Sequence, residues 1–180
     1  MSLLIPIIIT SLTSYYVGYP LICILLGHCN KIDKKHLITN NIWLGDQYSA
    51  LDKDFLIDNN IGLVINVTKL LSFTDLDIVK YRIPINDDFY ELYYQNILKY
   101  FDEAYNLIEE CISQNKQVLI HCRAGMQRSA TLAALYLMKK QNISYDKAMK
   151  IITSKRYIAF KPFAHFLSTL KNYDKIKTKS

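Results

Sequence analysis

At 180 residues, 51% of them hydrophobic and with only 5 Gly and 4 Pro, the chain has the size of one domain and too much apolar content for a disordered or collagen-like segment. A formal charge of +6, from 22 Lys and Arg against 16 Asp and Glu, excludes an acidic solvating tail and favours anionic partners such as phosphoproteins, acidic lipid surfaces or nucleic acid. The four cysteines, Cys23, Cys29, Cys111 and Cys122, show neither the paired spacing of a zinc site nor a dense disulfide framework, so a reducing, intracellular setting is expected.

From Ser2 to Asn30 there is no Asp, Glu, Lys or Arg, and then Lys31, Asp33, Lys34 and Lys35 follow closely. This shift divides an apolar arm, residues 1–30, from a domain over 31–173 and a basic tail over 174–180. A membrane-spanning helix needs roughly 20 mostly apolar residues. The arm is long enough, but its middle carries Thr10, Ser11, Thr13, Ser14, Gly18 and Pro20, which weaken helix and insertion alike. Two readings stay open: a membrane anchor with the lysines holding the domain in the cytoplasm, or an arm packed on the domain or in a homodimer interface.

Over 36–173 strands and helices alternate. Asn40-Asn41 reads as a tight turn between short strands His36–Thr39 and Ile42–Leu44, since Asn tolerates left-handed backbone angles. Leu51, Phe55 and Leu56 suggest a helix. The branched run Gly62–Val67 reads as a buried strand and Val79–Ile85 as another. From Gln95 to Ser113 apolar residues recur every three or four positions, which predicts one amphipathic helix with Cys111 as a small core residue on its inner face. Gln117–His121 is a short apolar strand, and Ser129–Lys140 is apolar on nearly every side, as a central buried helix must be. Ser144 caps a helix through Ser154, Pro162 opens a last one through about Tyr173, and the lysines from Lys171 to Lys179 read as a solvated, frayed end. The expected fold is α/β: a mostly parallel twisted sheet flanked by helices, with its chemistry in the turn after Ile120.

That turn reads His121-Cys122-Arg123-Ala124-Gly125-Met126-Gln127-Arg128-Ser129. Cys followed six positions later by Arg means little by itself, but His before the Cys, Gly three after it, a strand ahead and a helix behind make a phosphate-binding turn. Such a turn aims successive N–H groups of residues 123–128 inward, and Gly125 permits the required backbone angles. The helix starting near Arg128 adds its N-terminal N–H groups and dipole, so a dianion is held without metal or cofactor. Arg128 can grip two phosphate oxygens with a planar fork, and it stands out where Lys supplies 18 of the 22 basic residues. The same field favours a thiolate on Cys122, the nucleophile. His121 orients the loop by hydrogen bonds. Ser129 either donates to the departing sulfur or caps the helix. The leaving group needs a proton from a residue reaching over the loop. Ile83-Pro84-Ile85-Asn86-Asp87-Asp88 ends a strand and offers Asp87, with Asp88 in reserve.

HCRAGMQRS resembles the HCxxGxxRS signature of the dual-specificity branch of the protein tyrosine phosphatase superfamily, and the likeness continues through Thr131 and Tyr136-Leu137-Met138. Upstream, Ile42-Trp43-Leu44-Gly45, Val64–Thr68 and Ile83–Asp87 resemble the early strand, central strand and general-acid loop of that family. The resemblance implies Cys122 as nucleophile, Asp87 as general acid and then base, Arg128 as phosphate clamp and Ser129 as leaving-group assistant. The short chain and the Met126-Gln127 pair are similar to the phosphatases of large DNA viruses and poxviruses. One departure stands out: many relatives have Pro-Asn leading into the last helix, whereas this chain has Pro162-Phe163, so an amide that often braces the phosphate loop is missing or comes from elsewhere.

Tyrosine-specific relatives carry an insertion that deepens the pocket, and none is seen here. Phosphotyrosine and phosphoserine or phosphothreonine in proteins are therefore the expected substrates. A phosphoinositide or RNA 5′-phosphatase on the same fold is the rival within the enzyme class, but its extra lysines or Thr-Gly pair are absent, and nucleic acid is not the expected partner. A phosphate-binding pseudoenzyme is the rival outside it, opposed by the presence of nucleophile, clamp and acid.

Overall fold

The computed structural model describes residues 33–85, 96–161 and 164–177. The arm over 1–30, Asp87, Asp88, Pro162 and Phe163 lie outside them. Five strands form one sheet: β1 (Lys35–Thr39), β2 (Ile42–Gly45), β3 (Ile61–Asn66), β4 (Val79–Arg82) and β5 (Gln117–His121), in the order β1-β2-β5-β3-β4. Only β1 is antiparallel to its neighbour; β2, β5, β3 and β4 run parallel. Six helices are described: α1 (Lys53–Asp58), α2 (Asn96–Lys99), α3 (Phe101–Ser113), α4 (Arg128–Gln141), α5 (Tyr145–Lys155) and α6 (Leu167–Lys177). None of them is long and apolar enough to cross a membrane.

The central strands β3 and β5 read as nearly continuous apolar runs because both faces of the sheet are covered there, whereas the edge strands β1 and β4 carry polar, partly exposed residues. Side chains alternate between faces. Ile42, Leu44, Leu63, Ile65, Val118 and Ile120 enter the larger core with α3 and α4, while Val64 and Leu119 meet Phe55 and Leu56 of α1 in a smaller one. At the carboxyl end, His121 pairs with Gly45 on β2 and Asn66 on β3, so three strands finish level with one another. Parallel sheets bind ligands in the crevice beyond such ends.

Several elements differ from expectation. The β1–β2 turn forms at Asn40-Asn41, but neither takes a positive φ, and the strand register shifts between Leu37 and Thr39. The strand expected through Ile85 stops at Arg82. Ile83 N–H still donates to Asn66 O at 2.9 Å, but Pro84 has no N–H to continue the ladder. The helix expected over 95–113 breaks at Tyr100 into α2 and α3, a break that nothing in the structure explains. The last helix begins at Leu167 and not at Pro162, because His165 N–H is taken by the Gln127 side chain at 3.1 Å. It also runs past the expected frayed end. Lys177 Nζ donates to Ile143 O at 2.7 Å and Asp174 accepts from Tyr145 N–H at 3.4 Å, so the tail docks as far as Lys177.

Candidate active site

β5 ends at His121 and α4 begins at Arg128, and the turn between them must hold its N–H groups inward and its carbonyls outward. Every carbonyl from Arg123 to Gln127 is held from outside. Arg123 O accepts from Gln47 N–H at 3.2 Å, Met126 O from Phe160 N–H at 2.8 Å, and Gln127 O from Thr131 N–H at 2.8 Å. Ala124 O and Gly125 O accept from Nη2 and Nε of Arg156, at 3.1 and 2.8 Å. Gly125 sits at φ +65, and a Cβ there would lie 2.5 Å from Gly45 O and 2.8 Å from Arg156 Nη2, so both angle and space demand glycine. Phe160 takes φ +63, which bulky residues seldom adopt, and in that conformation offers its N–H to the loop.

The inward side converges on Cys122, whose sulfur is nearly inaccessible, the residue being 2% exposed. Gly125 N–H donates to Sγ at 3.3 Å and Ser129 Oγ–H donates at 3.2 Å. Burial pushes the thiol up, but Arg128, the Ser129 hydroxyl and the backbone N–H groups of Ser129 and Met126 together hold it below its ordinary value. The result favours a thiolate at the base of a ring of N–H donors. Ser129 therefore lies within hydrogen-bond reach of the sulfur. Gln127 occupies the N-cap position of α4 without a side-chain capping bond.

Arg128 is 6% exposed, and Nη1 donates to Ile85 O at 3.2 Å, which ties the turn to the segment that leads towards Asp87. Arg123 and Ala124 are exposed at the rim. Cys111 is a buried free thiol donating to Gln117 O at 3.5 Å, and burial pushes it up, in keeping with a core residue.

His121 is expected to orient the loop by hydrogen bonds, and in the structure it ends β5 directly before Cys122. The ring is fully buried and neither nitrogen meets hydrogen-bond geometry. Burial pushes its pKa down to about 4, against a weaker opposing pull from the Cys122 backbone, so the ring is neutral. It is the His121 carbonyl that bonds, accepting from Val67 N–H at 2.9 Å. Gln127 also acts otherwise than as a loop amide alone. Its side chain donates to Lys161 O at 2.9 Å and accepts from His165 N–H, spanning the segment where an asparagine brace was absent from the sequence.

Arg156 and His36 escaped sequence reasoning. Arg156 is 1% exposed, and Nη1 donates to His36 Nδ1 at 2.8 Å. The available signal was rarity: in a chain with four arginines, a fork is used where Lys, with its single ammonium, cannot substitute.

A family model described as the dual specificity phosphatase catalytic domain matches residues 42–176. A protein of Amsacta moorei entomopoxvirus named as a tyrosine-protein phosphatase is 41% identical over 147 residues, covering 78% of this chain and 86% of its own length. Human dual specificity protein phosphatase 16 is 36% identical over 140 residues, 77% of this chain but only 20% of that protein, so the chain spans about a fifth of this larger relative. The crystal structure of human DUSP28 superposes with a TM-score of 0.73 at 22% identity over 81% of this chain and 96% of that one, a likeness of fold. The match of the family model to most of the chain, together with a viral relative of nearly the same extent, establishes that this chain belongs to the dual specificity protein phosphatases, whose members hydrolyse phosphate monoesters through a cysteinyl-phosphate.

Proposed function

We propose that the protein removes phosphate from phosphotyrosine and from phosphoserine or phosphothreonine in protein substrates, with Cys122 as nucleophile. The observation that carries this reading is the buried Cys122 sulfur, held below its ordinary pKa with Ser129 Oγ at 3.2 Å and Gly125 N–H at 3.3 Å.

In the first step the thiolate attacks phosphorus, forming the S–P bond as the P–O bond to the substrate breaks. Asp87 gives its proton to the departing oxygen. Arg128 and the loop N–H groups take up the charge on the three equatorial oxygens. In the second step water attacks phosphorus, Asp87 accepts its proton, and the S–P bond breaks as Ser129 donates to the sulfur. The resting protein is restored with release of inorganic phosphate, and no metal is required, because Arg128 and the α4 N-terminus supply the positive charge. The arm over 1–30 would bring this chemistry to a membrane or into a homodimer.

Turnover is compared on phosphotyrosine peptide, phosphothreonine peptide, phosphoinositide and triphosphorylated RNA. Both peptides are expected to be hydrolysed faster than the other two; preference for the lipid or the RNA overturns the substrate class. Cys122→Ser abolishes turnover yet still binds vanadate, and more than about a hundredth of the wild-type rate in that variant would exclude covalent catalysis. Asp87→Asn slows an alkyl phosphate far more than nitrophenyl phosphate. An equal loss on both, or a larger loss from Asp88→Asn, moves the acid.

A further inference from the structure

A peptide unit is planar and trans, so its C=O and the following N–H point in opposite directions. Fixing Ala124 O therefore fixes the N–H of Gly125, and fixing Gly125 O fixes that of Met126. These are N–H groups that meet the Cys122 sulfur. Both carbonyls are held by one side chain, Arg156, which reaches them from the C-cap of α5. Its remaining nitrogen, Nη1, is engaged by His36 Nδ1 on β1 at 2.8 Å. Because guanidinium only donates, His36 must accept through Nδ1 and carry any ring proton on Nε2.

We infer that Arg156 is a positioning residue for the phosphate loop, orienting the two peptide planes whose N–H groups face Cys122, and that His36 acts through it by holding the guanidinium in plane. This deepens the reading of Cys122 as nucleophile and rests on it. Three bonds from one planar fork leave the guanidinium no freedom to rotate, and the fork's rigidity passes to the loop. Lysine at this position offers a single ammonium on a flexible stem and cannot hold both carbonyls at once. Arg156 holds the loop carbonyls, while Gln127 holds the segment on the far side, donating to Lys161 O and accepting from His165 N–H.

The test uses the full chain and two measurements on the resting protein: the pH midpoint of Cys122 alkylation by iodoacetate, and the affinity for inorganic phosphate. Neither needs turnover, so failure of this inference is told apart from failure of the proposed activity. In Arg156→Lys the alkylation midpoint rises and phosphate affinity falls about ten- to a hundredfold, the weight of a lost charge-assisted bond. His36→Ala shifts both in the same direction. His36→Asn restores them, since Asn Oδ1 takes the place of Nδ1. The double variant loses no more than Arg156→Lys alone, as residues acting in series require. A variant Arg156→Lys with a lowered melting temperature but wild-type thiol titration and phosphate affinity makes Arg156 merely structural and overturns the inference. Full additivity of the two changes removes His36 from it. Should Arg156→Lys fail to fold, the half-buried His36 carries the test, and wild-type values in His36→Ala overturn it.

Discussion

Cys122 is placed by opposing effects. Burial alone would raise its pKa, yet Arg128, Ser129 and the backbone N–H groups reverse the sign. A thiol deprotonates upward in pH, so reactivity is present above the folded pKa and disappears as pH falls through it. Alkylation should accordingly show a midpoint below the free value of about 8.5, and a midpoint at or above that value in wild-type protein would remove the basis for a resting thiolate. Gly125 has no such opposing terms. Left-handed backbone costs another residue about 1–3 kcal/mol, and a Cβ would also meet Gly45 O at 2.5 Å. Gly125→Ala should lower the unfolding free energy by at least that cost and weaken phosphate binding more than tenfold. A chemical unfolding curve and a phosphate titration on the same preparation check both.

At the scale of elements, the chain economises on glycine. Asn60 follows α1, Asn115 follows α3 and Asn142 caps α4, at φ 48, 57 and 50, so asparagine ends helices where glycine usually does. Two helix starts carry a side-chain cap, Asp52 on α1 and Ser144 on α5. Asp52 accepts from Phe55 N–H at 3.1 Å and pairs with Lys35 of β1, joining α1 to the sheet. Lys35 first, and the Phe55 N–H second, hold the Asp52 carboxyl below the usual carboxylate range. With the folded pKa depressed, the stabilisation is complete above the unfolded value of about 3.9 and is lost as pH falls through the folded one. Asp52→Ala should cost about 1 kcal/mol at pH 7, the ordinary weight of a cap. Urea unfolding from pH 7 to pH 3 should show the gap between wild type and variant closing only at the acid end. A gap independent of pH would mean that charge plays no part.

For the whole molecule, the described geometry from Cys122 to Arg156 and His36 draws on β1, β2, β5, α4 and α5, all lying after Lys34. A chain beginning at Lys31 should therefore keep kcat/KM on a phosphotyrosine peptide within about twofold, the coupling expected of independent parts. The full chain should sediment with lipid vesicles or run as a dimer, whereas the shortened one does neither. Loss of activity on shortening would make the first 30 residues part of the catalytic domain.

Local rules were enough for much of this. The short branched, apolar runs of β3 and β5, the all-round apolar α4 and the spacing from His121 to Ser129 each depend on neighbours in the chain, so the fold class and the turn between β5 and α4 were legible before any coordinates. Ser144 as a cap was legible for the same reason: its bond to Lys147 N–H spans three residues. What stayed hidden depends on distant contacts. The last helix starts late because Gln127 takes His165 N–H, the ring of His121 is neutral because the core closes over it, and the carbonyls of Ala124 and Gly125 are held by Arg156, more than 30 positions away, anchored in turn by His36 across 120. A motif records which residues line a turn. The groups that hold its peptide planes from behind come from wherever the sheet and helices bring a donor within reach, and only the packed structure decides that.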